Sequence, residues 1–310
     1  MGRVWLAHDV TLHRDVAIKE IVPPTGLTEI ERHEMRERTL REARAIARLS
    51  HPNVVRMFDV LRCDGQPWLV MEDVSGPSLQ ELLATKGPLP AARVAEIGLG
   101  VLAALRAAHR AGVLHRDVKP GNVLLAANSR VVLTDFGLAT VSDDPVVTRS
   151  GLVLGSPAYL APERARDGSA GPEADLWSLG ATLYAAVEGR SPYARSTAIA
   201  TLTALATEPP APAKRAGPLR PVLDGLLLRN PAHRISAAQA ERLLLRATGR
   251  SNSGAARLSP SSEVRLRRPP SVKTRASLPL PRQRLRVSLP LPGQRLRPSS
   301  PGVQRGQWWT

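Results

Sequence analysis

The 310 residues carry 43 Lys or Arg against 27 Asp or Glu, a formal net charge of +16. Residues 250–310 hold 13 of the basic side chains against one carboxylate, Glu263, so +12 sits there and only +4 on the first 249 residues; the nucleic-acid signature of the total belongs to a tail and not to the body. One cysteine, Cys63, excludes an intramolecular disulfide and favours a reducing compartment, while the lack of a signal-peptide pattern or of an apolar run near the ~18 residues of a membrane span leads to the expectation of a cytoplasmic location.

The length suits one large domain or two lobes with sizeable cores, and with aromatics at 3% the core must be mainly aliphatic. Residues 4–7 and 16–19 are strand-like runs flanking a polar turn at 11–15. In Val16-Ala17-Ile18-Lys19 the lysine would project from its strand toward phosphate groups. From about residue 30 to 49, charged residues interleave with Leu40, Ala43, Ile46, Ala47 and Leu49 at helical spacing. Glu42 lies one turn before Ile46 and is the carboxylate expected to pair with Lys19 and hold its ammonium. Glu34 and Glu37 are the nearest competitors, and a solvated strand lysine is the plain alternative.

Residues 54–58 and 68–71 read as two further strands. Glu72-Asp73-Val74 falls where the composition shifts from strand-rich to helical. Its backbone can offer a carbonyl and an amide to an adenine ring, with Met71 beside the pocket, so Glu72 and Val74 are assigned to nucleotide binding. Residues 78–249 look mainly helical, punctuated by Pro and Gly at 87–90, 155–157 and 209–221.

The most informative stretch is His115-Arg116-Asp117-Val118-Lys119-Pro120-Gly121-Asn122, with Asp135-Phe136-Gly137 beginning 13 residues after Asn122. Residues 123–125 and 131–133 are apolar runs joined by a polar turn, a hairpin linking the two strings, and Leu124 is placed beside the nucleotide. These residue types suit moving a phosphoryl group from metal-bound ATP to a hydroxyl. Asp117 can accept the hydroxyl proton, Lys119 can neutralise charge on the moving group, and Asn122 with Asp135 can hold Mg²⁺. The long segment 138–163 has the length of a functional loop. Arg116 would be an uncompensated cation unless an anion docks on it, and phosphorylated Thr148 or Ser150 would supply one; equally, these hydroxyls merely solvate a loop. Ser156 could bridge Asp117 and Lys119. Asp175 opens an apolar helix and is expected either to cap it or to anchor the backbone around Asp117. Arg234 is expected to pair with Glu163.

Val-Ala-Ile-Lys, His-Arg-Asp-Val-Lys-Pro-Gly-Asn, Asp-Phe-Gly, Gly-Ser-Pro-Ala-Tyr-Leu-Ala-Pro-Glu and Asp-Leu-Trp-Ser-Leu-Gly occur in one order at one set of spacings. On these strings residues 1–249 resemble Hanks-type serine/threonine protein kinases, in particular the bacterial, actinobacterial-looking branch. The resemblance implies an α+β, bilobal protein-kinase-like fold: a small β-rich lobe at 1–73 lacking its first strand, and a larger helical lobe at 74–249. It also implies ATP as donor, two Mg²⁺ ions, protein Ser or Thr hydroxyls as acceptors and activation by loop phosphorylation, and it leaves a kinase-domain dimer open. The resemblance further implies that Gly2, Val4, Ala17 and Lys19 bind the nucleotide, and the family's Gly-x-Gly-x-x-Gly-x-Val loop is met only from its third glycine, Gly2, with Val4 as the valine. From this follows the expectation of a start upstream of Met1 or a truncated copy, and the alternative of a pseudokinase that binds without efficient transfer.

Residues 250–310 are rich in Ser, Pro and Arg, and a ten-residue string at 277–286 recurs almost unchanged at 288–297. Prolines block helix and sheet interiors, so a disordered or polyproline-like basic tail is expected. Nucleic acid or anionic lipid are its candidate partners, against the plainer reading of an inert tail.

Overall fold

The structure is a computed structural model that describes residues 3–23, 26–63, 66–137, 157–169 and 171–249. The expectations placed on Gly2, Thr148, Ser150, Ser156 and the tail lie outside the described residues.

The first lobe is an antiparallel sheet of β1 (Val4–Asp9), β2 (Arg14–Glu20), β3 (Met57–Cys63) and β4 (Gln66–Glu72), in the order β1-β2-β4-β3. The turn between β1 and β2 is set by Asp9, whose Oδ1 accepts the amides of Thr11 and Leu12 at 3.1 Å each while Arg14 Nε reaches Oδ2 at 3.3 Å. Alternation along β2 sends Val16 and Ile18 to one face, against Val70, and Ala17 and Lys19 to the other. Cross-strand partners share a face, so Val4, opposite Lys19, and Met71, opposite Ala17, line that second surface.

Helix α1 (Glu29–Ile46) packs against β4 and β3. It starts at a reciprocal capping box, with Thr28 Oγ1 accepting the Glu31 amide at 3.3 Å and the Glu31 carboxylate accepting the Thr28 amide at 2.7 Å. The strand expected at 54–58 is displaced to Met57–Cys63. The apolar pair Val54-Val55 serves the other lobe instead: Val54 bridges Leu133, and the Val55 amide donates to the Leu133 carbonyl at 3.0 Å.

The second lobe contains α2 (Leu79–Lys86), α3 (Ala91–Arg110), the hairpin β5 (Val123–Leu125) and β6 (Val131–Leu133), α4 (Pro162–Asp167), α5 (Pro172–Glu188), α6 (Ala198–Thr207), α7 (Arg220–Leu226) and α8 (Ala237–Ala247). Every residue of α5 from Ala174 to Val187 is buried, as expected of a helix apolar on all sides at the centre of a core. α3 packs on α5, α8 and β6. Gly100 permits the last contact, since a Cβ there would lie 2.7 Å from the Val131 Cβ. The hairpin is thereby seated against α3 at the boundary between the lobes. The main core runs across that boundary, from Ala43, Ile46, Leu69 and Met71 to Leu133 and Phe136. Among the described residues no helix is long and apolar enough to cross a membrane.

Candidate active site

Two loops meet beneath the sheet, and hydrogen bonds lace one to the other. The His115 carbonyl accepts the Gly137 amide at 3.0 Å, and the Asn122 carbonyl accepts the Thr134 amide at 3.0 Å. His115 is fully buried, its ring 4.5 Å from that of Phe136, and Nε2 lies 2.8 Å from the Thr134 carbonyl. A carbonyl can only accept, so Nε2 carries the proton and Nδ1 is left to accept the Asp117 amide at 3.2 Å. Asp175, at the start of α5, accepts the His115 amide at 2.9 Å, the Arg116 amide at 2.8 Å and, through Nε2, His109 at 2.8 Å. Burial works to raise the Asp175 carboxyl, but the hydrogen bond from His109, the nearby His115 and the two amides outweigh it and hold it below the usual carboxylate range. The anchoring role expected for Asp175 is present, with His109 as a partner that sequence reading missed.

Burial depresses the His115 pKa from 6.5, outweighing the pull of the Asp175 and Asp117 carboxylates. The unfolded imidazole therefore takes its proton at a higher pH than the folded one, and below about pH 6.5 the unfolded state holds more protons. The midpoint of thermal unfolding should fall as pH drops from about 6.5 to 5.5, and His115→Asn should make the slope shallower. His51, also depressed by burial, contributes with the same sign, so the slope should shrink without vanishing. A midpoint that holds or rises over this interval contradicts a neutral His115.

Asp117 stands at the mouth of this loop. Its Oδ2 lies 2.8 Å from Lys119 Nζ and 3.1 Å from Asn122 Nδ2, which also holds the Asp117 carbonyl at 2.7 Å. Lys19 Nζ reaches from β2 to Asp135 Oδ1 at 2.9 Å. Burial alone would raise the Asp135 carboxyl; the ammonium of Lys19, with help from His115 and Lys119, pulls it below the ordinary value. Asn122 Oδ1 is buried with no hydrogen-bond partner among the described residues. An orphaned amide oxygen and a carboxylate held anionic are hard oxygen donors, the set Mg²⁺ prefers when phosphate and water complete its shell. Among the described residues no three His, Cys, Asp or Glu side chains converge as a ready-made metal cage.

One expected pairing differs. Glu42 does not meet Lys19: its Oε1 lies 3.0 Å from Arg116 Nη1 and 3.6 Å from Arg38 Nε, while Lys19 is taken by Asp135. Lys19 and Asp135 form the more buried pair, their side chains 11% and 15% exposed against 26% and 24% for Arg116 and Glu42, so water screens it less. Arg116 is correspondingly not the uncompensated cation expected, because Glu42 already faces it. Ala17 lies on the Lys19 face of the sheet and Val4 at its exposed margin, while Leu124 is half-buried in β5. Glu72 ends β4, and its carboxylate is gripped by Arg130 of the hairpin turn at 2.7 and 3.1 Å; Val74 follows in the crossing between lobes. The Glu163–Arg234 pair is present as expected, with contacts of 2.8 and 3.1 Å. Arg130 and Arg164, the latter donating to the Arg116 carbonyl, escaped sequence reading. Each is one arginine among many in a polar turn or helix, and no local pattern marks it.

A small antiparallel sheet over a helical lobe, with a lysine from the sheet meeting the Asp135 carboxylate beside the loop of Asp117, is the architecture of a bilobal, kinase-like domain. The family model described as "Protein kinase domain" matches residues 1–243, and the chain belongs to that family, on its bacterial Hanks-type serine/threonine branch. It is 36% identical over 267 residues to the serine/threonine-protein kinase pkn3 of Myxococcus xanthus, covering 80% of this chain and 47% of that one. It is 38% identical over 242 residues to PknL of Mycobacterium tuberculosis, covering 76% and 60%, and 35% identical over 248 residues to PknB of Mycobacterium leprae, covering 77% and 39%. The chain thus spans between about two-fifths and three-fifths of the length of these relatives.

Proposed function

We propose that this chain transfers the γ-phosphoryl group of Mg·ATP to serine or threonine hydroxyls of proteins, its own 138–156 segment among them. The observation that carries the reading is the convergence of Lys19, Asp117, Lys119, Asn122 and Asp135 from three separate stretches of chain into one cleft, with Asn122 Oδ1 left without a partner among the described residues. In this reading the acceptor hydroxyl donates its proton to Asp117 as its oxygen bonds to the γ-phosphorus and the bond to the β–γ bridging oxygen breaks. Lys119 offsets charge on the moving group, and Lys19 turns from Asp135 to the α- and β-phosphates. Asn122 and Asp135 would hold Mg²⁺, which supplies charge neutralisation at the phosphates. Glu72 and Val74 would meet adenine through their backbone, with Val4, Ala17 and Leu124 around the ring.

Regulation belongs to the same reading. A phosphate on Thr148 or Ser150 would compete with Glu42 for Arg116, and the freed Glu42 could then support Lys19. A reducing compartment accords with Cys63 as the sole cysteine.

Incubation with Mg·ATP should place phosphate on serine or threonine, with Thr148 or Ser150 among the sites found by mass spectrometry. Lys19→Met should reduce this at least about tenfold and weaken Mg·ATP binding. Nucleotide binding with no phosphate incorporation would favour a binding module instead, and incorporation unaffected by Lys19→Met would remove the site assignment.

A further inference from the structure

The direction of the Asp117 carboxylate depends on the peptide that precedes it, and both ends of that peptide are held. Its N–H donates to His115 Nδ1 at 3.2 Å, and its carbonyl, that of Arg116, accepts from Arg164 Nη1. We propose that Arg164 is a positioning residue for phosphoryl transfer, fixing through the Arg116 carbonyl the peptide plane that aims Asp117 and tying that plane to α4. This inference rests on the reading of Asp117 as the proton acceptor.

The backbone conformation gives the clamp something to resist. Arg116 has φ of 67°, in the left-handed region that costs a residue with a Cβ roughly 1–2 kcal/mol. Such a conformation persists where its surroundings over-determine it. Asp175 grips the near side, accepting the amides of His115 and Arg116 at 2.9 and 2.8 Å. On the far side, relaxation of Arg116 by rotation of the following peptide would break the bonds to His115 and Arg164 together. His115 belongs to the same loop and can move with it. Arg164 does not: α4 is fastened to the body of the lobe through its neighbour Glu163, which Arg234 holds at 2.8 and 3.1 Å.

The electrostatics of Arg164 are those of a group retained at a cost. Burial lowers its pKa, the carboxylates of Asp175 and Asp117 oppose that, and the Arg116 guanidinium adds like-charge repulsion. An apolar side chain would avoid both the desolvation and the repulsion. Conflicts of this kind concentrate where function needs the group, and among the described residues the one hydrogen bond the side chain makes is to the residue before Asp117.

The test compares Arg164→Met, Arg164→Lys and Arg166→Met in the full chain, reading initial autophosphorylation rate against Mg·ATP concentration. Arg166 lies in the same helix with an exposed side chain and serves as control. Arg164→Met should lower the saturating rate about tenfold or more with the KM for ATP within about twofold, because misaiming a reacting group acts on turnover and not on nucleotide binding. Arg164→Lys, which keeps the cation but not the guanidinium plane, should recover part of the rate, and Arg166→Met should match the parent. Hydrogen exchange reads the same clamp without turnover: the Asp117 amide should exchange about tenfold faster in Arg164→Met while amides in the middle of α5 do not change. A saturating rate and Asp117 exchange both within about twofold of the parent overturn the inference. So does a loss of rate that merely follows a loss of helical circular dichroism. Should Arg164→Met fail to fold, Arg164→Lys decides alone, and parental rate and exchange there overturn it. Asp117→Asn run alongside separates the two levels. An active Asp117→Asn removes the reading of the site, whereas an inactive one beside a fully active Arg164→Met removes only the role of Arg164.

Discussion

Asp117→Asn is expected to lower the saturating rate of phosphoryl transfer about 10²- to 10⁴-fold, the range for loss of a positioned proton acceptor, while Mg·ATP affinity changes by less than about threefold. The amide can still accept from Asn122 Nδ2, now at 3.1 Å from Asp117 Oδ2, so the loop should keep its shape. What disappears is the carboxylate proposed to take the hydroxyl proton, which also balances Lys119 at 2.8 Å. Steady-state rates with ATP titrated to saturation, alongside equilibrium nucleotide binding, separate the two effects. A rate within about twofold of the parent would show that the proton goes elsewhere.

The largest effect on stability is expected at Arg234. Its side chain is fully buried, and that of Glu163 is 6% exposed. The guanidinium also donates to the Leu228 carbonyl through Nε at 3.1 Å and Nη2 at 3.0 Å, and lies over the Trp177 ring at 5.2 Å. Removing one partner of such a pair leaves the other charged and out of water, which costs about 3–5 kcal/mol. Arg234→Met should therefore lower the thermal midpoint by about 6–20 °C at roughly 2–4 °C per kcal/mol for a domain of this size. Glu163→Gln combined with Arg234→Met should restore part of the loss, since the double variant leaves no uncompensated carboxylate. Equal losses in the single and double variants would mean that packing on Trp177, and not the charge pair, carries the stability. On the proposed role of Arg164 the pair would also bear on turnover, because Glu163 fastens the short helix that delivers Arg164 to the Arg116 carbonyl.

Sequence reading succeeded where chemistry is packed into contiguous residues. His115 to Asn122 and Asp135 to Gly137 lie on two short loops with one hairpin between them, so their meeting follows from local geometry alone. The anchoring of that loop by Asp175 and the Glu163–Arg234 pair were also expected and are present, although 60 and 71 residues separate the partners. Reading failed where several partners of one charge compete in three dimensions. Glu42 was expected to meet Lys19, with Glu34 and Glu37 as competitors, whereas Lys19 pairs with Asp135 and Glu42 with Arg116. Arg130, Arg164 and His109 act on residues 58, 48 and 66 positions away in the chain, distances at which helical and strand periodicity carry no information. The strand at Met57–Cys63 was misplaced for a related reason. Asp59 and Arg62 interrupt its alternation, while the apolar Val54-Val55 pair that resembles a strand is committed to β6.

That commitment has a mechanical meaning. The connection from α1 to β3 is bound to the helical lobe: Asn53 Nδ2 donates to the Val131 carbonyl at 2.7 Å, the Asn53 carbonyl accepts the Leu133 amide at 2.8 Å, and the Val55 amide returns to the Leu133 carbonyl at 3.0 Å. These bonds fix residues 53–55, a few residues beyond the end of α1, to the lower body, so a tilt of the helix would pivot near its C-terminal end. At 1.5 Å per residue, Glu42 lies roughly 8 Å from Ala47 along the axis, and the capping residue Thr28 roughly 29 Å. A tilt about this point moves the far end nearly four times as far as Glu42. A force applied at Thr28 is correspondingly multiplied at Glu42, the carboxylate that now faces Arg116.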